Sequence, residues 1–195
     1  MPARNLILAA ALAGFLTTAA RAQTTNAFYP PPFTKLEAME DSIGTMVVKS
    51  AAPVGTVTTA NGSTAGVTCK VDQDGNGLRQ YGIAIRLSAM NNGALSGASA
   101  PFIDYDEIDG LLQAITQLEK IDWDITPLSS FNASYETRGG FRVAAFSSRR
   151  SGAVEISVTC THANMAPILL AQDQIVQLQS FIQQAQTKLT ALMKP

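Results

Sequence analysis

The sequence predicts an α+β fold in which antiparallel sheets come from two strand-meander-plus-helix units and the helices pack on one sheet face. Three observations carry this. Residues 81–88 and 153–160 alternate apolar and polar side chains, as half-buried strands do. Two stripes, Ile108, Leu111, Leu112, Ile115, Leu118 and later Ile175, Leu178, Ile182, Ala185, Leu189, Leu192, recur at steps of three and four, the period of a helix with one buried side. Both halves also run in the same order, with strands, a loop, a short apolar step opened by proline, and a helix.

Taken along the chain, strands are expected at 45–49, 55–59, 66–71 and 81–88, divided by Gly, Asn, Pro and Asp. In the strand at 81–88, Tyr81, Ile83, Ile85 and Leu87 share one face, while Gly82, Ala84, Arg86 and Ser88 share the other, where small residues leave room for something to approach. Residues 91–99 read as a Gly/Asn/Ser-rich loop, followed by Pro101-Phe102-Ile103 and a helix starting near Asp106. Three further strands at 130–137, 141–148 and 153–160 form a meander with tight turns at Gly139-Gly140 and 149–152. A second apolar step at 167–170 leads into a long Gln-rich helix, with Asp173 in its first turn and Lys188 and Lys194 near its end, as the helix dipole prefers.

The matching order suggests an internal duplication, about 55–121 against 129–193. It sets residues 82–87 beside 153–158 and Glu107-Ile108 beside Gln174-Ile175. Repeats of several strands followed by a helix resemble, in element order, the PUR and Whirly families of single-strand nucleic-acid binders over most of the chain. That resemblance implies a fold; the stacking function would require a basic, aromatic-lined sheet surface, which the sequence does not supply.

The N-terminus has the three parts of a secretory signal: a charged start with Arg4, an apolar run at 6–16, and Ala20-Arg21-Ala22 before Gln23. Cleavage is expected after Ala22. As a helix the run rises only about 16 Å, against roughly 30 Å of hydrocarbon, so a retained membrane anchor is not expected. Residues 23–43, with Pro30-Pro31-Pro32, read as an extended leader, and 44–195 as one domain. Taking 22 residues from 195 leaves 173 and removes Arg4 and Arg21, which moves the formal charge from −1 to −3. A mildly acidic chain is poorly suited to neutralising phosphates, so nucleic acid is not an expected partner. The expected location is the periplasm or the medium.

Cys69 and Cys160 are the only cysteines, and each falls in the apolar register of its strand. In an oxidising compartment the pair suggests a disulfide closing about 90 residues, which a chain-entropy argument values at roughly 4 to 5 kcal/mol. The alternative is two free buried thiols acting as small hydrophobes.

Asp72-Gln73-Asp74-Gly75-Asn76-Gly77 places oxygen donors at positions 1, 3 and 5 and glycine at position 6 of a calcium loop. Asp72, Asp74 and Asn76 are therefore candidate ligands for Ca2+, the one cofactor the sequence suggests. The pattern fails at position 12, which is Ile83, and its flanks are strands, so an ordinary hairpin turn is the competing reading. Asp104, Asp106, Glu107 and Asp109 make an acidic cluster suited to metal binding or acid-base work, or to capping a helix start. His162, the only histidine, stands two residues after Cys160, though no motif supports a nucleophile pair. Arg138, Arg142, Arg149 and Arg150 gather around hairpin turns, a cluster suited to an anionic ligand or, as is more usual for arginine on exposed turns, to solvation, and Trp123 reads as a core or edge residue. Asn61-Gly62-Ser63 and Asn132-Ala133-Ser134 fit a glycosylation acceptor.

With no nucleophile or cofactor motif, the expectation is a non-enzymatic exported domain that binds a protein or a small ligand. A metal-dependent hydrolase using Asp72–Asn76 or the acidic cluster is the alternative from another class, and a structural envelope component is a third.

Overall fold

The computed structural model describes residues 32–148 and 152–194. The expected signal peptide, residues 23–31 of the leader, Arg149, Arg150, Ser151 and Pro195 lie outside the described residues. Fourteen elements of the described chain, nine strands, three α-helices and 3-10 turns at Tyr105–Glu107 and Trp123–Ile125, position everything discussed below.

Within the described part of the expected leader the chain is not extended throughout but forms a helix, α1, Lys35–Glu40. Thr34 and Glu37 explain it: the Thr34 hydroxyl accepts from the Glu37 amide at 3.0 Å, and the Glu37 carboxylate accepts from the Thr34 amide at 3.2 Å. This reciprocal capping box satisfies amides that a first turn otherwise leaves bare. Proline run notwithstanding, a Thr-x-x-Glu sequence followed by Leu36 and Met39 was a helix signature.

Sheet A is antiparallel, in the order β1 (Val47–Thr58), β2 (Thr64–Asp74), β3 (Arg79–Asn91), β4 (Ala94–Ser99), with β5 (Phe102–Asp104) also on β3. The two short strands expected at 45–49 and 55–59 are one strand, with the pairing slipping between Pro53 and Gly55. Pro53 survives there because β1 is an edge strand of the sheet. Residues 94–99, expected as loop, form β4, because Asn92 (φ 50°) and Gly93 (φ 78°) make the left-handed pair that turns a two-residue hairpin.

Sheet B is antiparallel in the order β6 (Asn132–Glu136), β7 (Phe141–Ser148), β8 (Ala153–Cys160), β9 (Ile168–Leu170). Each proline-led step is thus a short strand laid back on the long strand before it: Ile103 faces Ile83, and Leu170 faces Ile156. Helices α2 (Ile108–Leu118) and α3 (Gln172–Met193) follow these steps.

The helices are exchanged. α2, which follows sheet A in sequence, packs on β6 and β7, whereas α3, which follows sheet B, packs on β1, β2 and β3. They meet each other antiparallel, with Gln179 Nε2 donating to Leu112 O (3.2 Å) and Thr116 Oγ1 (2.7 Å), and Gln186 Nε2 donating to Asp109 Oδ1 (2.6 Å). One core results, joining Ile83, Ile85 and Leu87 of sheet A, Val143 and Val158 of sheet B, and both apolar helix stripes. Within it Leu111, Ile115, Leu178 and Ile182 are fully buried, each worth roughly 1.5 to 3 kcal/mol of transfer free energy.

Among the described residues no helix is long and apolar enough to cross a membrane.

Candidate functional site

The outer face of sheet A, turned away from α3, carries the densest set of charges. Strand alternation puts Lys70, Asp72, Gly82 and Asp104 there, because Ala65, Val67 and Cys69 of β2 and Ile83 and Ile85 of β3 take the core side. Register then sets them side by side: Lys49 opposite Asp72, Lys70 opposite Gly82, and Gly82 opposite Asp104. The small residues anticipated on this face of β3 do admit a neighbour, and that neighbour is α1. A Cβ on Gly82 would stand 2.7 Å from Leu36 Cδ1, so glycine is what lets the fully buried Leu36 sit on the sheet.

Charges fix both ends of α1. At its start the Asp104 carboxylate, 1% exposed, accepts from the amides of Lys35 (2.8 Å) and Leu36 (3.2 Å), an anion on the positive end of a short helix. Arg138 gathers the rest of the acidic cluster, at 3.5 Å from Asp104, 3.0 Å from Asp106 and 3.2 Å from Glu107. Burial opposes the charge on Arg138, but the three acids outweigh it and raise its pKa. Asp106 also takes Lys35 Nζ at 3.0 Å; burial works to raise its pKa, and Lys35 and Arg138 together bring it below the usual range. Arg138 is thus engaged rather than merely solvated. The cluster's acids clamp α1 and the β6–β7 turn, where the Arg138 amide donates to Glu107 Oε1 at 2.9 Å.

At the end of α1, Glu40 accepts from Lys49 Nζ (2.8 Å) and from Lys70 Nζ. Burial pushes the Glu40 pKa up, but those two lysine bonds outweigh it and hold it low. Beneath them lies Asp72, 0% exposed. No described donor hydrogen-bonds either of its oxygens; Lys70 Nζ stands 3.7 Å from Oδ1, with its own short bond given to Glu40. Burial, with the Glu40 carboxylate adding to it and Lys70 only partly opposing, pushes Asp72 up to about 6.

The calcium reading draws no support from this placement. Asp74 Oδ1 accepts from the amides of Asn76 (2.9 Å) and Leu78 (2.8 Å), closing the β2–β3 hairpin, while Asp72 is sealed under α1 and Asn76 is exposed beyond the turn. Among the described residues no three His, Cys, Asp or Glu side chains are gathered to hold a metal. The disulfide likewise draws no support from the structure. Both cysteines are buried, as their registers implied, but free. Cys69 faces α3, its thiol 3.7 Å from Ala185 O, whereas Cys160 closes β8 in the other sheet, opposite Phe141.

His162 turns away from Cys160 and stacks on Phe33, with ring centroids 4.0 Å apart, beside Gly140. Arg142 pairs with Glu136 at 2.5 Å, and Glu136 also accepts from Thr161 Oγ1. Trp123 is part-exposed, edge-on to Phe131 at 6.1 Å. Asn61 lies at the exposed β1–β2 turn and Asn132 at the exposed start of β6.

A second surface is built from small side chains. On the outer face of sheet B, the register lines up Ser134, Ala144, Ser157 and Leu169 across all four strands. One flanking row is Glu136, Arg142 and Thr159, the other Asn132, Phe146 and Glu155. Alternation sends Phe141, Val143 and Val158 to the core, so this face is independent of it. No helix of the described residues packs on it.

The chain matches no family model, and none of the curated proteins with which it was compared.

Proposed function

We propose that this chain is an exported, non-enzymatic binding module that takes its partner on the outer face of sheet B. The supporting observation is the row Ser134, Ala144, Ser157, Leu169: a trough whose middle, Ala144 and Ser157, is buried and whose ends, Ser134 and Leu169, are exposed, edged by charged residues and with no described helix packed on it. Such a surface lets another backbone or a flat ligand come close while the flanking Glu136–Arg142 pair supplies orientation. Export rests on the three-part N-terminal pattern. The exposed Ser134, at the edge of the row, gives the test, since arginine there fills the trough without touching the core. Wild-type protein immobilised and exposed to its native envelope or medium captures a partner that Ser134→Arg does not. Identical capture by the two proteins moves the site elsewhere, and turnover of esterase, phosphatase or glycosidase substrates by the purified chain overturns the non-enzymatic reading.

A further inference from the structure

We propose that α1 is a proton-controlled strap on sheet A: protonated, Asp72 lets the helix lie down over it, and ionised, it loosens the helix. The geometry supplies both requirements of such a device. One is a carboxyl group that docking deprives of water: Asp72 is wholly inaccessible, with no described donor bonded to either oxygen. An ionised carboxylate left that way is costly, and two events relieve it, gaining a proton or regaining water. The other requirement is that the cover be small enough to move. α1 is six residues long, held by Leu36, Met39 and the charges at its two ends, and it continues into an exposed connector with Ile43 and Met46. Regaining water therefore means lifting α1, not unfolding the domain.

The groups facing Asp72 are Glu40 from α1, Lys49 from β1 and Lys70 from its own strand, with Asp41 acting on Lys49 from the end of α1; β3 contributes only the uncharged Gln80. Lysine does not neutralise Asp72 outright, because both lysines are committed to Glu40. With α1 docked, burial holds Asp72 up to about 6, and with α1 lifted it returns toward the ordinary value of about 4. A raised acid favours the docked form at low pH, and this preference is lost as pH rises through about 6. Glu40 has the opposite sign: its depressed value contributes docking above the usual carboxylate range and loses it in stronger acid. The strap is tightest in mild acid, with Asp72 protonated and Glu40 charged.

Hydrogen exchange on the full chain tests this, following the amides of α1 and, as an internal control, those of Ile83 and Ile85, with rates corrected for intrinsic pH dependence. Between about pH 5 and about pH 8 the protection of α1 falls about tenfold while that of β3 stays constant. Asp72→Asn, which keeps size and cannot ionise, makes α1 protection independent of pH; Glu40→Gln, which removes a charge that raises Asp72 and frees Lys49 and Lys70 to face it, lowers the protection and weakens its pH dependence. Equal α1 protection at both pH values, persistence of the dependence in Asp72→Asn, or a parallel loss in β3 overturns the proposal. If Asp72→Asn does not fold, the wild-type comparison of α1 with β3 decides alone.

Discussion

The ring of Phe181 occupies the space over Gly55, where a Cβ built on the glycine would lie 2.5 Å from its Cε1 and Cζ atoms. The glycine sits at the slip in β1, so this one position joins the bulge of an edge strand to the middle of α3. Gly55→Val forces the ring aside and is expected to cost about 1 to 3 kcal/mol. Phe181→Ala opens the space, and the double variant recovers part of that cost. A cycle of urea unfolding curves measures the coupling; simple additivity of the two changes would mean that the ring and the strand do not meet.

Asp104 and α1 depend on each other in the same manner. Asp104→Ala leaves the amides of Lys35 and Leu36 bare and removes one of the acids around Arg138, at an expected cost of about 2 to 3 kcal/mol. Asp104→Asn, which keeps one acceptor, costs less. Denaturation midpoints rank the three proteins, and an unchanged midpoint for Asp104→Ala contradicts the clamp.

Both thiols are expected to be free. Protein unfolded in denaturant without reductant takes up two alkyl groups by intact mass, whereas the folded protein reacts slowly, since Cys69 and Cys160 are buried and burial raises the Cys69 pKa. Absence of alkylation in denaturant restores the bridge.

Pro53 guards the long free side of β1. Six consecutive residues, Val48 to Pro53, are exposed, and a proline and a register slip are the devices that keep such an edge from pairing with another chain. Pro53→Val is expected to raise self-association, read as a concentration-dependent increase in sedimentation coefficient, with little change in the monomer's unfolding midpoint.

Much of this fold can be read from residue order because alternation and helical stripes are strong in β3, β7, β8, α2 and α3; β7 and β8 begin and end where the pattern does. The α+β class follows directly. Local cues of a weaker kind were harder to read. The capping box at Thr34 and Glu37 was hidden by the prolines before it, and the Asn92-Gly93 turn by small residues whose pairing comes from β3. The candidate sites were the least legible, for a physical reason: Asp72 and Asp74 look equivalent in a calcium-like string, yet strand and turn send one beneath a helix and the other to its own hairpin amides. Arg138 was visible only as one of four arginines around hairpin turns, and its acidic partners, about 30 residues back in the chain, could not be read from that. Cysteine parity predicted burial but could not predict partnership, because two core-facing positions can belong to opposite sheets.

The exchange of helices has a bearing on how the molecule comes into being. Sheet A is made first, but its cover is the final 22-residue helix, Gln172–Met193. A nascent chain stopped anywhere short of that helix leaves Val57, Val67 and Ile85 uncovered, so sheet A cannot close its core until residues 172–193 have been made.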